Sequence, residues 1–174
     1  MRLANALLFQ ALWFSAVLGA AKGLWWPALP VLGVLIAFTW RYSPTRAQDF
    51  RLLGVAVALG MIIETGFAQT GWIRYAAALP STELAPVWIL LMWAGFALTI
   101  NHSLAPLMRT RWLALLSGAV FGPLAYFGAA RLGAVESFGL STLAMMLVIG
   151  VAWALSLLLL AELARVKTAA KELV

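Results

Sequence analysis

The chain has 174 residues, 64% of them hydrophobic and only 10% charged, with a net charge of +6 and no cysteine; its mean hydropathy is +0.98. A soluble domain carries about 25% charged residues, and no globular interior of this size holds so much apolar surface, so the composition specifies an integral membrane protein with no separate soluble domain. Disulfides, thiolate metal sites and cysteine nucleophiles are excluded, and the positive charge calls for no nucleic acid, because membrane proteins gather Lys and Arg in cytoplasmic loops.

A bilayer core of about 30 Å takes roughly 20 apolar residues per helix. Six segments qualify, at about Leu3–Ala21, Leu24–Trp40, Leu52–Thr70, Pro86–Leu107, Trp112–Ala130 and Phe138–Leu163, so residues 1–174 read as one all-α polytopic transmembrane bundle. The first segment carries Asn5 and Gln10, and a small-residue stripe, Ser15, Gly19 and Gly23, on which a neighbouring helix can pack. Arg2 ahead of an apolar run that ends in Gly19-Ala20-Ala21 also resembles a signal peptide. The interruption by Asn5 and Gln10 and the length of the run favour a retained span. Lys22-Gly23 makes a tight link to the second segment.

The loop "RYSPTRAQD" leads to the third segment, which holds Glu64 near its middle, with Thr65 and Gln69 beyond it. The stretch Trp72–Leu79 reads as a short interfacial helix, and "LPSTELAP" as a turn. The fourth segment contains "FALTINHSLAPL", with Asn101, His102 and Ser103 in succession; His102 is the only histidine. On a continuous helix adjacent residues point about 100° apart, so Asn101 and His102 are not expected to face one partner, and Ser103 is expected to bond back to the carbonyl of Thr99. In the fifth segment Gly118 and Gly122 form G-x-x-x-G, a close-packing motif and a weak sign of dimerisation, and Pro123 follows at once, where a kink is expected.

Charge sets the orientation. With the N-terminus in the cytoplasm, Arg2, Arg41, Arg46, Arg51, Arg109, Arg111, Arg165, Lys167 and Lys171 lie inside, and Lys22, Arg74 and Arg131 outside. That bias predicts an N-in, C-in chain with six spans. Trp25, Trp26, Trp72 and Tyr75 then fall at the outer interface, and Trp40, Tyr42 and Trp112 at the inner one, where amphipathic rings anchor.

Ionisable groups inside a span cost about 2.5–3.5 kcal/mol and mark function. At about 1.5 Å per residue, Gln10 lies about 10 Å above the inner boundary and Asn101 and His102 about 8–9 Å, while Glu64 and Tyr126 lie about 18 and 21 Å up. These five residues are the candidate intramembrane site, in two layers, with no direct Glu64–His102 pair expected. Glu64 reads either as a proton or cation site or as a neutral acid bonding between helices. Asn101 reads as an interhelical hydrogen-bonding group. His102 reads either the same way or as a proton shuttle, and a lone histidine is a poor metal site. No metal, haem or other cofactor is expected, and no catalytic or phosphate-binding motif occurs. Faint matches such as Trp13 with Trp93 do not establish an inverted repeat.

The wording "NALLFQALWFSAVLGAA", "LMWAGFALTINHSLAPL" and "GAVFGPLAYFGAARLGAV", with N-H-S and G-P-L-A-Y as its most specific parts, resembles domain-of-unknown-function family 2878 over nearly the whole chain. The resemblance implies six helices, a bacterial inner-membrane location and an acidic residue in mid third span, here Glu64 where the family often has Asp. It implies no activity, and hints at lipid metabolism. Three functions follow as expectations: binding or helping to modify a lipid or acyl chain; proton-coupled transport of a small solute through Glu64; and assembly of a membrane complex. Membrane lipids are the expected partners, with a homo-oligomer or another membrane protein as alternatives.

Overall fold

The computed structural model describes residues 1–171, with side chains through Arg165; the side chains of Lys167 and Lys171, counted above in the basic set, lie outside the description. The described residues form six helices: α1 (Arg2–Ala21), α2 (Ala28–Tyr42), α3 (Arg46–Gln69), α4 (Val87–Ala97), α5 (Arg111–Arg131) and α6 (Thr142–Lys171). Four of them, α1, α3, α5 and α6, are long and apolar enough to cross a membrane; α2 and α4 are shorter. Large apolar side chains cover the outside, Ile62, Leu116, Leu143, Leu147 and Val151 among them. Such an exterior suits hydrocarbon as its solvent.

Both ends of the bundle can be traced from contacts. Gln48 Nε2 at the start of α3 donates to the carbonyl of Ala164 on α6, and Arg165 Nε donates to the Met108 carbonyl at 3.1 Å. Arg111 Nε meets Glu162 Oε1 at 2.9 Å, and Arg165 Nη1 meets the same oxygen at 2.5 Å. This end gathers Arg46, Arg51, Arg109, Arg111 and Arg165 and is called the basic end. At the opposite end β1 (Ile73–Tyr75) pairs antiparallel with β2 (Val135–Phe138), in the register Ile73 with Phe138 and Arg74 with Ser137. The ribbon replaces the interfacial helix expected at Trp72–Leu79, because Ile73 and Tyr75 point inward and Arg74 outward, a two-residue period that suits a strand. It also takes Phe138 from the sixth predicted segment; α6 starts at Thr142, behind Ser141, whose hydroxyl accepts from the Ala144 N–H at 3.4 Å. Gly23 and Gly133, at φ of +74° and +91°, turn the chain just past α1 and α5, in a conformation that glycine adopts without strain.

The fourth predicted segment is only half a helix. After Ala97 the chain runs through successive turns to Met108, with the N–H groups of Thr99, Ile100 and His102 reaching back three residues. Local polar groups compete with the helical ladder here: Thr99 Oγ1 donates to the Phe96 carbonyl at 2.5 Å, and Pro106 has no N–H to continue a helix. Irregular backbone is tolerated at membrane depth only when it is buried in protein. Leu98, Thr99, Ile100 and His102 are all buried.

The G-x-x-x-G motif is used within the chain. A Cβ on Gly118 would stand 2.4 Å from the carbonyl oxygen of Trp153, and one on Gly122 2.6 Å from its indole, so both glycines seat α5 against α6. The helix continues through Pro123 to Arg131.

Candidate functional site

The first polar centre lies on α3. Glu64 is completely buried, and three donors converge on its carboxylate: Trp93 Nε1 to Oε1 at 2.8 Å, Tyr75 Oη to Oε2 at 2.5 Å, and Tyr126 Oη to Oε1. Gly60, one turn before Glu64, lets Trp93 lie flat on α3, since a Cβ there would stand 2.5 Å from the Trp93 ring. Trp93 stacks in turn on Trp153, with centroids 4.4 Å apart. Burial and the neighbouring Glu64 carboxylate push the Tyr75 phenol well above its usual range, so it remains a donor. Among the described residues no cation pairs with Glu64. Its carboxyl group is held by these three hydrogen bonds.

The second centre lies at the basic end. Asp49, fully buried in the first turn of α3, accepts from Asn101 Nδ2 at 2.7 Å and from Ser43 Oγ at 2.5 Å, and pairs with His102 Nε2 at 3.0 Å. Thr45 Oγ1 adds longer contacts to both carboxylate oxygens. Asn101 and His102 therefore share one partner, contrary to the helical expectation; the 100° rotation between neighbours does not apply once α4 has stopped at Ala97. Ser103 likewise turns away from Thr99. Its hydroxyl donates to Asn5 Oδ1 at 2.6 Å, and Asn5 Nδ2 donates to the Leu98 carbonyl at 3.0 Å, so α1 closes the open end of α4. Glu64 and Asp49 are fifteen residues apart on α3, about 22 Å along its axis at about 1.5 Å per residue. Glu64 and His102 belong to separate centres.

Between α1, α4, α5 and α6 lies a cavity of about 620 Å³, lined by Trp13, Trp88, Trp93, Phe96, Tyr126 and Trp153 among others. Gln10, exposed on α1, stands in its wall with Ser103 and Ser117, away from Asp49. Phe14 on α1 and Phe121 and Leu124 on α5 line it too while remaining half exposed or more, which places an opening between α1 and α5 on the apolar outside. Glu64 does not reach the cavity. It holds two residues of the wall, Trp93 and Tyr126.

Sequence reasoning brought together Glu64 and Tyr126 and missed Asp49, Ser43, Trp93 and the site role of Tyr75. The Thr45–Asp49 spacing at a helix start was the available signal for Asp49, an acid in the first turn being favoured by the helix dipole. A family model described as Protein of unknown function (DUF2878) matches residues 2–159. The chain belongs to that family. The resemblance drawn from the N-H-S and G-P-L-A-Y words is thus borne out, and the DUF2878 match takes in both polar centres and every residue named in the cavity wall. No curated protein and no solved structure matches the chain. Among the described residues no group of acidic and histidine side chains is arranged to hold a metal ion.

Proposed function

We propose that this protein binds an acyl chain of a membrane lipid, taken in sideways between α1 and α5. The cavity carries the reading: its size lies within the range of about 300–1,000 Å³ typical of small-molecule sites, its wall is aromatic and apolar, and it opens onto the surface that faces hydrocarbon. In this reading the chain sits in a bacterial inner membrane with its basic end in the cytoplasm, as the distribution of Arg and Lys favours. Tyr126 and Trp93, held by Glu64, shape the wall. Proton-coupled transport finds less support, because Glu64 is enclosed and its three neighbours all donate to it.

Filling the cavity tests the proposal. Ala125 lines it on α5. Lipid extracted from delipidated and re-equilibrated wild-type protein is expected at roughly one chain per molecule, and Ala125→Trp is expected to retain roughly tenfold less. Val151→Trp, on the exposed face of α6, is the control and is expected to match wild type. Equal retention by Ala125→Trp and wild type, measured by mass spectrometry of the extract, would contradict the proposal.

A further inference from the structure

The cavity is elongated. Its wall on α5 runs from Ser117 to Ala129, about 18 Å at about 1.5 Å per residue. An extended chain covers about 3.5 Å per three bonds, so that length takes about fifteen carbon–carbon bonds. The volume agrees: 620 Å³ holds about twenty small heavy-atom groups at about 30 Å³ each, enough for one chain with its head atoms and too little for two.

The two ends of the cavity differ. Toward the ribbon it is closed by Trp88, Ala129 and Val135, all buried and none charged. Toward the basic end it is lined by the hydroxyls of Ser103 and Ser117 and by Met108. Two exposed cations flank that end: Arg109 follows Met108 in the chain, and Arg2 lies one helical turn before Ala6, another wall residue. Arg111 and Arg165 are engaged with Glu162, whereas Arg2 and Arg109 have no ion-pair partner among the described residues.

We infer that the occupant is a single straight acyl chain of about sixteen carbons bearing an anionic head, its tail against Trp88 and Val135 and its head beside Arg2 and Arg109. The inference rests on the lipid-binding reading and adds the number of chains, their length and the sign of the head. A carboxylate and a phosphate share the required chemistry.

The test uses the full chain in detergent and native mass spectrometry. The probes are saturated fatty acids of about eight to about twenty-two carbons, their methyl esters, and single-chain phosphate lipids of the same lengths. Affinity is expected to rise with length and level off near about sixteen carbons, with one anionic series at least roughly tenfold tighter than the esters; which series wins identifies the head. Arg2→Gln with Arg109→Gln is expected to remove the preference over esters and leave ester binding unchanged. Ala6→Trp, filling the wall near the basic end, is expected to abolish binding of every series. Esters bound as tightly as the anions, or no plateau with length, would overturn the inference, and the lipid-binding reading would survive if Ala6→Trp and Ala125→Trp still suppressed binding. Binding that both fillers leave intact would overturn the two together.

Discussion

Replacing Asp49 by alanine is expected to destabilise the protein by about 3–5 kcal/mol, because it leaves three hydrogen-bonding groups without their common partner at about 1–3 kcal/mol each. The carboxylate is the common acceptor for His102, Asn101 and Ser43. His102 is itself buried, so its imidazole finds no water in place of the lost oxygen. The consequence reaches beyond the pair, because Asn101 and His102 pin the irregular stretch between Ala97 and Met108 to the start of α3. Asp49→Asn keeps one oxygen and the shape and is expected to lose about half as much. Equilibrium unfolding in mixed micelles measures both, and an alanine variant as stable as wild type would show that the stretch is held by packing alone.

Glu64→Leu is expected to cost about 2–5 kcal/mol. It orphans three donors, Tyr75, Trp93 and Tyr126, inside the bundle. An unmade buried hydrogen bond costs about 1–3 kcal/mol, and the lower limit follows from interhelical bonds in membranes averaging about 0.6 kcal/mol. Glu64→Gln retains an oxygen for Trp93 and Tyr126, and a tyrosine hydroxyl can turn to accept from the new amide, so its loss is expected to stay near about 1 kcal/mol. The two variants separate shape from charge. If Glu64 acts by positioning Trp93 and Tyr126, lipid retention follows stability, with Gln close to wild type and Leu low. Retention lost in Gln with stability intact would instead assign the carboxylate a direct chemical role.

Hydropathy made the helical architecture legible but not the backbone of the fourth segment. Leu98, Ile100, Leu104 and Leu107 keep that segment apolar, and hydropathy measures transfer to lipid without regard to whether the ladder of N–H bonds continues. The break was written in Thr99, Asn101, Ser103 and Pro106, groups that bond locally or cannot donate. Asp49 was obscured for a related reason: the apolar run begins at Leu52, so the polar first turn of α3 read as part of the loop, although Thr45 and Ser43 are positioned there to meet it. Depth counting placed Glu64 and Tyr126 at nearly one level, and they are bonded. The same counting joined Gln10 to His102, which lie apart, because depth fixes no direction around a helix and α4 ends before His102. The pairing of Ile73–Tyr75 with Val135–Phe138 spans too much sequence for any local pattern to announce it. A two-stranded ribbon is marginal by itself, and this one is held by the burial of Ile73, Tyr75 and Val135.

The central claim is that an acyl chain lies inside the bundle, and photo-crosslinking tests it most directly. A fatty acid of about sixteen carbons with a diazirine at its tail would be equilibrated with the full chain in lipid nanodiscs, irradiated, and the adducts located by peptide mass spectrometry. Adducts concentrated on Trp88, Ala129 and Val135, and lost in Ala125→Trp, are the expected result. Adducts confined to the exposed outer face, on residues such as Leu143, Leu147 and Val151, and unaffected by Ala125→Trp, would contradict it.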